Sequence, residues 1–183
     1  MLNESDISAM KEQIEYWHRE YVTSVSPMDW AISLEASLYM FDFIRKNDSK
    51  IIADFGSGFS SVVLRMFSDK LTFSIDDDPE WLERTKSFLE QCKLSTERLV
   101  LINDFTGSGL DFSFYDLGAD CETRLSNFSR CYESTMAGGY ILIDDQHKPG
   151  WREFFKENVK DSRFIELKDT LDCYGRYTAL VVK

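Results

Sequence analysis

Asp54, Gly56, Gly58 and Asp76 are the residues whose types and spacing most directly imply chemistry. The apolar run Ile51-Ile52-Ala53 ends in Asp54-Phe55-Gly56-Ser57-Gly58-Phe59-Ser60-Ser61, which reads as a strand entering a ligand-binding turn. Glycine at 56 and 58 lets the chain turn tightly and lets backbone amides, including that of Ser57 between them, approach a ligand with no Cβ in the way. The helix expected next presents free N–H groups to the same ligand. Asp54 discriminates between ligands, because a carboxylate beside this loop repels a pyrophosphate and attracts the ammonium of an amino-acid-like cofactor. A second apolar run, Leu71-Thr72-Phe73-Ser74-Ile75, ends at Asp76, twenty residues beyond Gly56. In a βαβ unit that spacing sets an acid at the tip of the neighbouring strand, where its oxygens can accept hydrogen bonds from ribose hydroxyls. The plainer alternative is a strand-to-helix turn with acids as caps, and Asp78 before Pro79 is a good helix start in either case.

More acids close the later strands: Asp104, Asp116 and the pair Asp144-Asp145. Ligands of open α/β sheets gather at the carboxyl ends of the strands near the switch in strand order, so this row should surround one cleft. Taken singly, each acid serves equally well as a helix cap or a solvated turn residue. His147, one of two histidines, falls just beyond the pair. Its ordinary pKa of about 6.5 suits it to take a proton from a hydroxyl, and neighbouring carboxylates are expected to raise that value. The plain alternative is a surface loop histidine. His18 is expected to face solvent or to belong to a lid.

The run Asp54-Phe55-Gly56-Ser57-Gly58-Phe59-Ser60 together with the Asp76 tip resembles the class I S-adenosylmethionine-dependent methyltransferases, with Ser60 where a third glycine often stands. The resemblance implies a Rossmann-like fold and S-adenosylmethionine as cofactor, held by Asp54, Gly56, Ser57, Gly58 and Asp76. It also sets Asp104 near the adenine amine, with Phe105 over the ring or packed in the core, and Asp116 beside the cofactor. Asp116, Asp144 and Asp145 resemble the Mg²⁺-holding acids of the catechol-type O-methyltransferases, and three oxygen ligands suit such a hard cation. Two positions depart from that pattern: Asp145 stands where the family usually has Asn, and Ala119 occupies the place of its catalytic lysine. His147 and Asp144 are therefore the candidate catalytic groups, and Asp144 and Asp145 could instead orient substrate or cap the helix entered at Pro149.

Composition narrows the partners. A chain of 183 residues that is 43% hydrophobic is long enough for one domain with a substantial core. A net charge of −11 disfavours nucleic acid, whose binding depends on clustered Lys and Arg. Cys92, Cys121, Cys131 and Cys173 show no Cys-x-x-Cys spacing, and reduced intracellular thiols are expected. Met1 to Asp6 has no basic region followed by an apolar core, and no run reaches membrane-spanning length, so a soluble cytoplasmic protein is expected.

The elements that must position these groups can be read from periodicity. Residues 5–46 read as two helices broken near Ser26-Pro27, the second over about 28–46 with Trp30, Leu34, Leu38, Phe41 and Ile44 at helical spacing. Strand and helix then alternate, with strands at 98–103, 112–115 and 140–145, a helix over about 122–136, and a final pair of strands at 164–167 and 177–182. Such alternation indicates a mainly parallel sheet covered on both faces, ending in an antiparallel hairpin. The expectation is a three-layer α/β sandwich with a seven-stranded sheet, residues 1–48 forming a helical cap and 49–183 the cofactor-binding core of one domain. Tyr16, Trp17, Tyr21 and Trp30 could cover the cleft.

The reading is a methyltransferase acting on a small molecule, most naturally on oxygen, with a homodimer allowed. Its rivals are a catalytically silent cofactor-binding module and a short NAD-dependent dehydrogenase. Against the dehydrogenase stand Asp54, Ser61 in the last glycine slot of Gly-x-Gly-x-x-Gly, and the lack of a Tyr-x-x-x-Lys pair.

Overall fold

In the computed structural model, which describes residues 3–118, 120–159 and 161–183, strand β1 (Ile51–Phe55) sits at the centre of a seven-stranded sheet. Its residues alternate between two cores, as period-two strand geometry requires. Ile52 joins Phe112, Phe114 and Leu142 on one face, whereas Ala53 and Phe55 join Ile75, Tyr115, Ile141 and Ile143 on the other. The remaining strands are β2 (Leu71–Asp76), β3 (Leu99–Leu101), β4 (Leu110–Tyr115), β5 (Thr135–Ile143), β6 (Arg163–Leu167) and β7 (Thr178–Val182), in the spatial order β3-β2-β1-β4-β5-β7-β6. The first five pair in parallel, while β7 runs antiparallel to both β5 and β6. The expected sheet and its antiparallel end are both present. The strand order reverses between β1 and β4, which opens a crevice at their carboxyl ends.

Helices α1 (Glu4–Ser24), α2 (Leu34–Asn47), α3 (Phe59–Arg65) and α4 (Pro79–Gln91) contribute to the first core. Helices α5 (Cys121–Ser134) and α6 (Pro149–Asn158) cover the other face through Phe128 and Phe155. Thus α1 and α2 are built into the sandwich, with Ile14, Tyr21, Met40, Phe41 and Ile44 buried in the core they share with one face of the sheet. Asn3 and Asp6 form a capping box at the start of α1, and Asp78 caps α4 with Pro79 in its first turn, as the sequence indicates.

Two local expectations are corrected. The second helix starts at Leu34 rather than near 28, because Ser33 caps it by accepting a hydrogen bond from the Ala36 amide. Trp30 therefore lies in the turn between the helices and is 64% exposed. His18 does not face solvent: it is buried, its Nε2 lies 2.9 Å from the Ile32 carbonyl, and its ring meets Phe59 edge-on. Burial pushes its pKa below the usual imidazole value.

Candidate functional site

The backbone ladder continues past the strand ends and sets the candidate residues side by side. The Gly56 amide donates to the Ile75 carbonyl at 2.9 Å, Asp116 N to Phe55 O at 2.7 Å, and Asp144 N to Tyr115 O at 3.1 Å. Above them lies a cavity of about 580 Å³. Asp76 and Asp144 stand at opposite ends of it, three strand spacings apart, which is about 14 Å.

The first end is built on the glycine turn. Gly56 has φ of +104°, and a Cβ there would fall 2.5 Å from the Asp116 backbone carbon, so no other residue fits without moving β4. A Cβ on Gly58 would reach 3.3 Å from the Tyr21 hydroxyl, which shares the cavity wall. Asp76 lines the cavity and ties the turn down, accepting from the Ser57 amide at 2.7 Å, the Ser57 hydroxyl at 2.9 Å and the Asp78 amide at 3.1 Å. Burial pushes its pKa up to about 7 despite these bonds. Trp81 donates to the Ser57 carbonyl from across the turn and faces Trp30 at a centroid distance of 6.5 Å.

Asp54 is not part of this wall. It shares the inward face of β1 with Ile52, has no exposed surface, and accepts from the Ser60 and Ser61 hydroxyls at 2.8 and 2.5 Å. It supports the turn from beneath with Oδ1 left without a hydrogen-bond partner, and burial lifts its pKa to about 8. Ser60 and Ser61, where more glycines were looked for, supply these hydroxyls. Asp104 is also misplaced by the row-of-acids argument, since it is exposed and does not line the cavity. Phe105 packs edge-on to Phe55 and Phe73 in the core. Of the four aromatics expected over the cleft, Tyr21 and Trp30 line it, while Tyr16 is exposed and Trp17 packs against the core.

The second end brings Asp116, Asp144, Asp145 and His147 together, as expected, with groups the sequence reading missed. Arg124, in the first turn of α5, donates from Nη2 to the Asp116 carboxylate and to the Asp116 carbonyl at 3.0 Å. Its Nη1 lies 3.3 Å from Asp145 Oδ2, within ion-pair range but not aligned as a hydrogen bond. Lys148 Nζ reaches the same Asp145 oxygen at 2.6 Å. The Trp151 ring lies 4.3 Å from the Arg124 guanidinium and 4.0 Å from the Lys148 ammonium. Asp145 holds its position in the left-handed region, φ +62°, a conformation retained only where surroundings compensate its cost. Asp144 accepts from the Asp145 amide at 2.8 Å. Burial and the facing carboxylates raise its pKa well above the usual range, while Asp116 is pushed up to about 6 by burial and held from rising further by Arg124.

His147 lines the cavity with Nδ1 lacking a hydrogen-bond partner and 3.6 Å from Asp145 Oδ1. The expectation that carboxylates raise its pKa is corrected, because partial burial outweighs Asp145 and lowers it. Arg176, bound to Asp172 at 2.6 Å and to the Ala31 carbonyl at 3.0 Å, completes this wall with the exposed Tyr174. The Ala119 position lies outside the described residues.

The acids at this end do not fit a divalent cation. Asp116 already binds the Arg124 guanidinium through Oδ1 and Asp145 the Lys148 ammonium through Oδ2, and among the described residues no three His, Cys, Asp or Glu side chains converge as ligands. The cofactor end does fit a nucleoside bearing a ribose, with a carboxylate on the wall and a glycine turn that a Cβ would obstruct.

Comparison with known proteins bears on the fold. No family model matches the chain, and no curated protein matches its sequence. Among solved structures, the O-methyltransferase of Bacillus cereus in complex with S-adenosylhomocysteine is 14% identical with a TM-score of 0.69, covering 96% of this chain and 91% of its own. The O-methyltransferase TomG of Streptomyces achromogenes, involved in tomaymycin synthesis and in complex with S-adenosylmethionine, is 17% identical with a TM-score of 0.66, covering 100% and 91%. A chain assigned as an rRNA methylase from Clostridium thermocellum is 15% identical with a TM-score of 0.62, covering 79% and 93%. The fold is the Rossmann-like fold of class I methyltransferases, shared by proteins described as O-methyltransferases and as an rRNA methylase.

Proposed function

We propose that the chain is an S-adenosylmethionine-dependent methyltransferase acting on the oxygen of a small-molecule acceptor. The observation that carries the reading is one cavity with two unlike ends: a glycine turn with a ribose-ready carboxylate, and a cluster of charged groups with an available imidazole. S-Adenosylmethionine, when bound, supplies a methyl group on a sulfonium; an acceptor oxygen forms the new C–O bond while the C–S electron pair stays on sulfur. Gly56, Ser57 and Gly58 would seat the amino-acid portion by backbone approach, and Asp76 would accept the ribose hydroxyls. Asp54 would keep the turn in shape from below. Asp116, at the tip of β4, belongs to the charged end.

What remains for the protein is positioning and a proton. His147, whose ring lines the cavity, would take the acceptor's proton, and its lowered pKa keeps the imidazole neutral at neutral pH. Asp144, by contrast, has its pKa raised well above the usual carboxylate range by burial and the facing carboxylates, and would orient the acceptor. Mg²⁺, expected from the acid trio, has no such support. The net charge of −11 favours a small molecule over RNA. Cys92 and Cys131 are buried free thiols, consistent with a cytoplasmic setting, and among the described residues no helix is long and apolar enough to cross a membrane.

Calorimetry with S-adenosylmethionine and S-adenosylhomocysteine tests the cofactor assignment, and methyl transfer from labelled cofactor to a small-molecule extract tests the chemistry. Saturable binding with production of S-adenosylhomocysteine is expected. Binding without turnover across acceptors would favour the silent module; a folded protein that binds neither compound excludes the reading.

A further inference from the structure

We propose that Arg124, with Lys148 beside it, is a built-in cation standing where a divalent metal would sit, and that it presents its free N–H groups to the oxygen of a phenol-like acceptor. The proposal rests on the methyltransferase reading and defines its acceptor subsite. Arg124 is only 6% exposed yet lines the cavity. Asp116 grips it through both carboxylate and carbonyl, and Trp151 backs its plane. Even so, Nε and Nη1 are buried without a hydrogen-bond partner. A guanidinium has five donors and cannot shed its proton, so unpaired N–H groups in a dry wall call for an acceptor atom from outside the protein.

Charge settles what that atom is. Two positive groups, Arg124 and Lys148, already sit on the carboxylates of Asp116 and Asp145, so a divalent ion reaching the same oxygens would meet these cations at contact distance and be repelled by them. An oxygen that gains negative charge as it loses its proton to His147 meets the opposite situation. Trp30, Trp151 and Tyr174 line the same cavity, which suits an aromatic ring bearing that hydroxyl.

The test uses Mn²⁺ alone as a metal probe on the full chain, followed by its effect on water-proton relaxation, with wild type, Arg124→Ser and Lys148→Ala. Wild type should show no saturable site tighter than the weak range of oxygen-ligand sites, about 10⁻⁴–10⁻³ M. Arg124→Ser, freed of its guanidinium, should gain at least about tenfold in Mn²⁺ affinity, the first step of restored charge. If Arg124→Ser does not fold by circular dichroism, Lys148→Ala, whose side chain is 43% exposed, should still tighten Mn²⁺ severalfold. Tight Mn²⁺ binding by wild type overturns the proposal, and so does a folded Arg124→Ser that gains nothing.

The acceptor half is probed with 4-nitrophenol in the presence of S-adenosylhomocysteine. Wild type should bind it as the coloured phenolate at a pH where the free phenol is mostly neutral, and Arg124→Ser should not; equal behaviour of the two proteins overturns this half. S-Adenosylhomocysteine binding, measured on the same samples, depends on the glycine turn and Asp76. Its failure defeats the methyltransferase reading, whereas its success with a contrary Mn²⁺ result defeats only the role of Arg124.

Discussion

The two ends of the cavity solve the same electrostatic problem in opposite ways. Both carry carboxylates at strand tips, largely out of water, where an uncompensated charge is costly. At the β1–β2 end, Asp54 and Asp76 are held by hydroxyls and backbone amides of Ser57, Ser60, Ser61 and Asp78, and among the described residues no cation is hydrogen-bonded to either. At the β4–β5 end, Asp116 and Asp145 are held by Arg124 and Lys148. Neutral donors leave a carboxylate with a raised pKa and unused acceptor capacity, fit for a ligand that brings its own hydroxyls and positive charge. Cations instead leave spare donors, fit for a ligand that brings negative charge. The difference predicts which half of a reacting pair each end receives.

The strongest way to break this comparison is to remove the cation. Arg124→Met leaves Asp116 and Asp145 facing each other without their guanidinium, and breaking a buried pair in this way costs about 3–5 kcal/mol. Chemical denaturation should show that loss at pH 8 and a smaller one at pH 5, since Asp116, already pushed up to about 6, takes up a proton once its partner is gone. An equal loss at both values would mean that packing against Trp151, not charge, is what Arg124 supplies.

Next in size is the base. His147→Ala should lower turnover by about 10²–10⁴-fold while leaving cofactor affinity nearly unchanged, as expected when general-base catalysis is removed. Because burial lowers its pKa, the free imidazole accumulates as pH rises through a value below about 6.5, and the wild-type rate should be level from pH 7 upward. A rate still climbing between pH 7 and 8 would assign the proton to another group, such as Asp144 or the acceptor itself.

What the sequence could and could not reveal follows the same division. Strand tips are legible because an apolar run ends at them, so Gly56, Gly58, Asp76, Asp116, Asp144 and Asp145 were all placed at the cavity. The period-two alternation that builds β1 also shows why Asp54 lies beneath the turn and not on the cavity wall: two residues after the buried Ile52, it points to the same face. Asp104 is exposed and off the cavity wall because a strand-end position does not say which way the following turn carries the chain. Trp30 was drawn into a helix by chance spacing, although Ser33 before Leu34-Glu35-Ala36 carried a capping signal. Arg124 lies on a helix and no strand pattern points to it; the available signal was Asp120 as an N-cap, which puts Arg124 in the first turn of a helix starting at the carboxyl edge of the sheet. Arg176 and Tyr174 reach the cavity only through the turn between β6 and β7, far along the chain.

Sharpening the cofactor end calls for a smaller effect. Asp76→Ala should weaken S-adenosylhomocysteine binding by about 1.5–3 kcal/mol, the scale of hydrogen bonds to a charged group. Part of that loss would come from the turn, since Ser57 loses both its contacts to the carboxylate. Asp76→Asn, which keeps an acceptor oxygen, should recover some of the affinity in calorimetry, and a full loss in both variants would point to the turn alone.

The smallest expected effect is also the most specific to this end. A carboxylate with a pKa of about 7 in the folded protein and an ordinary acidic value when unfolded stabilises the fold through its protonated form, fully so below its unfolded pKa. That contribution is lost as pH rises through about 7, so the ligand-free protein should lose stability across roughly pH 4–7. Ribose hydroxyls donate more strongly to the ionised form than to a neutral acceptor, so binding runs the other way and tightens over the same window. One unit below pH 7 only about a tenth of Asp76 is ionised, and affinity for S-adenosylhomocysteine should fall about tenfold between pH 8 and pH 6. Asp54 also titrates, near 8, but it has no surface in the cavity. Asp54→Asn should therefore keep the pH dependence of binding while Asp76→Asn flattens it, and the reverse pattern would assign the cofactor end to the acid beneath the turn rather than the one on its wall.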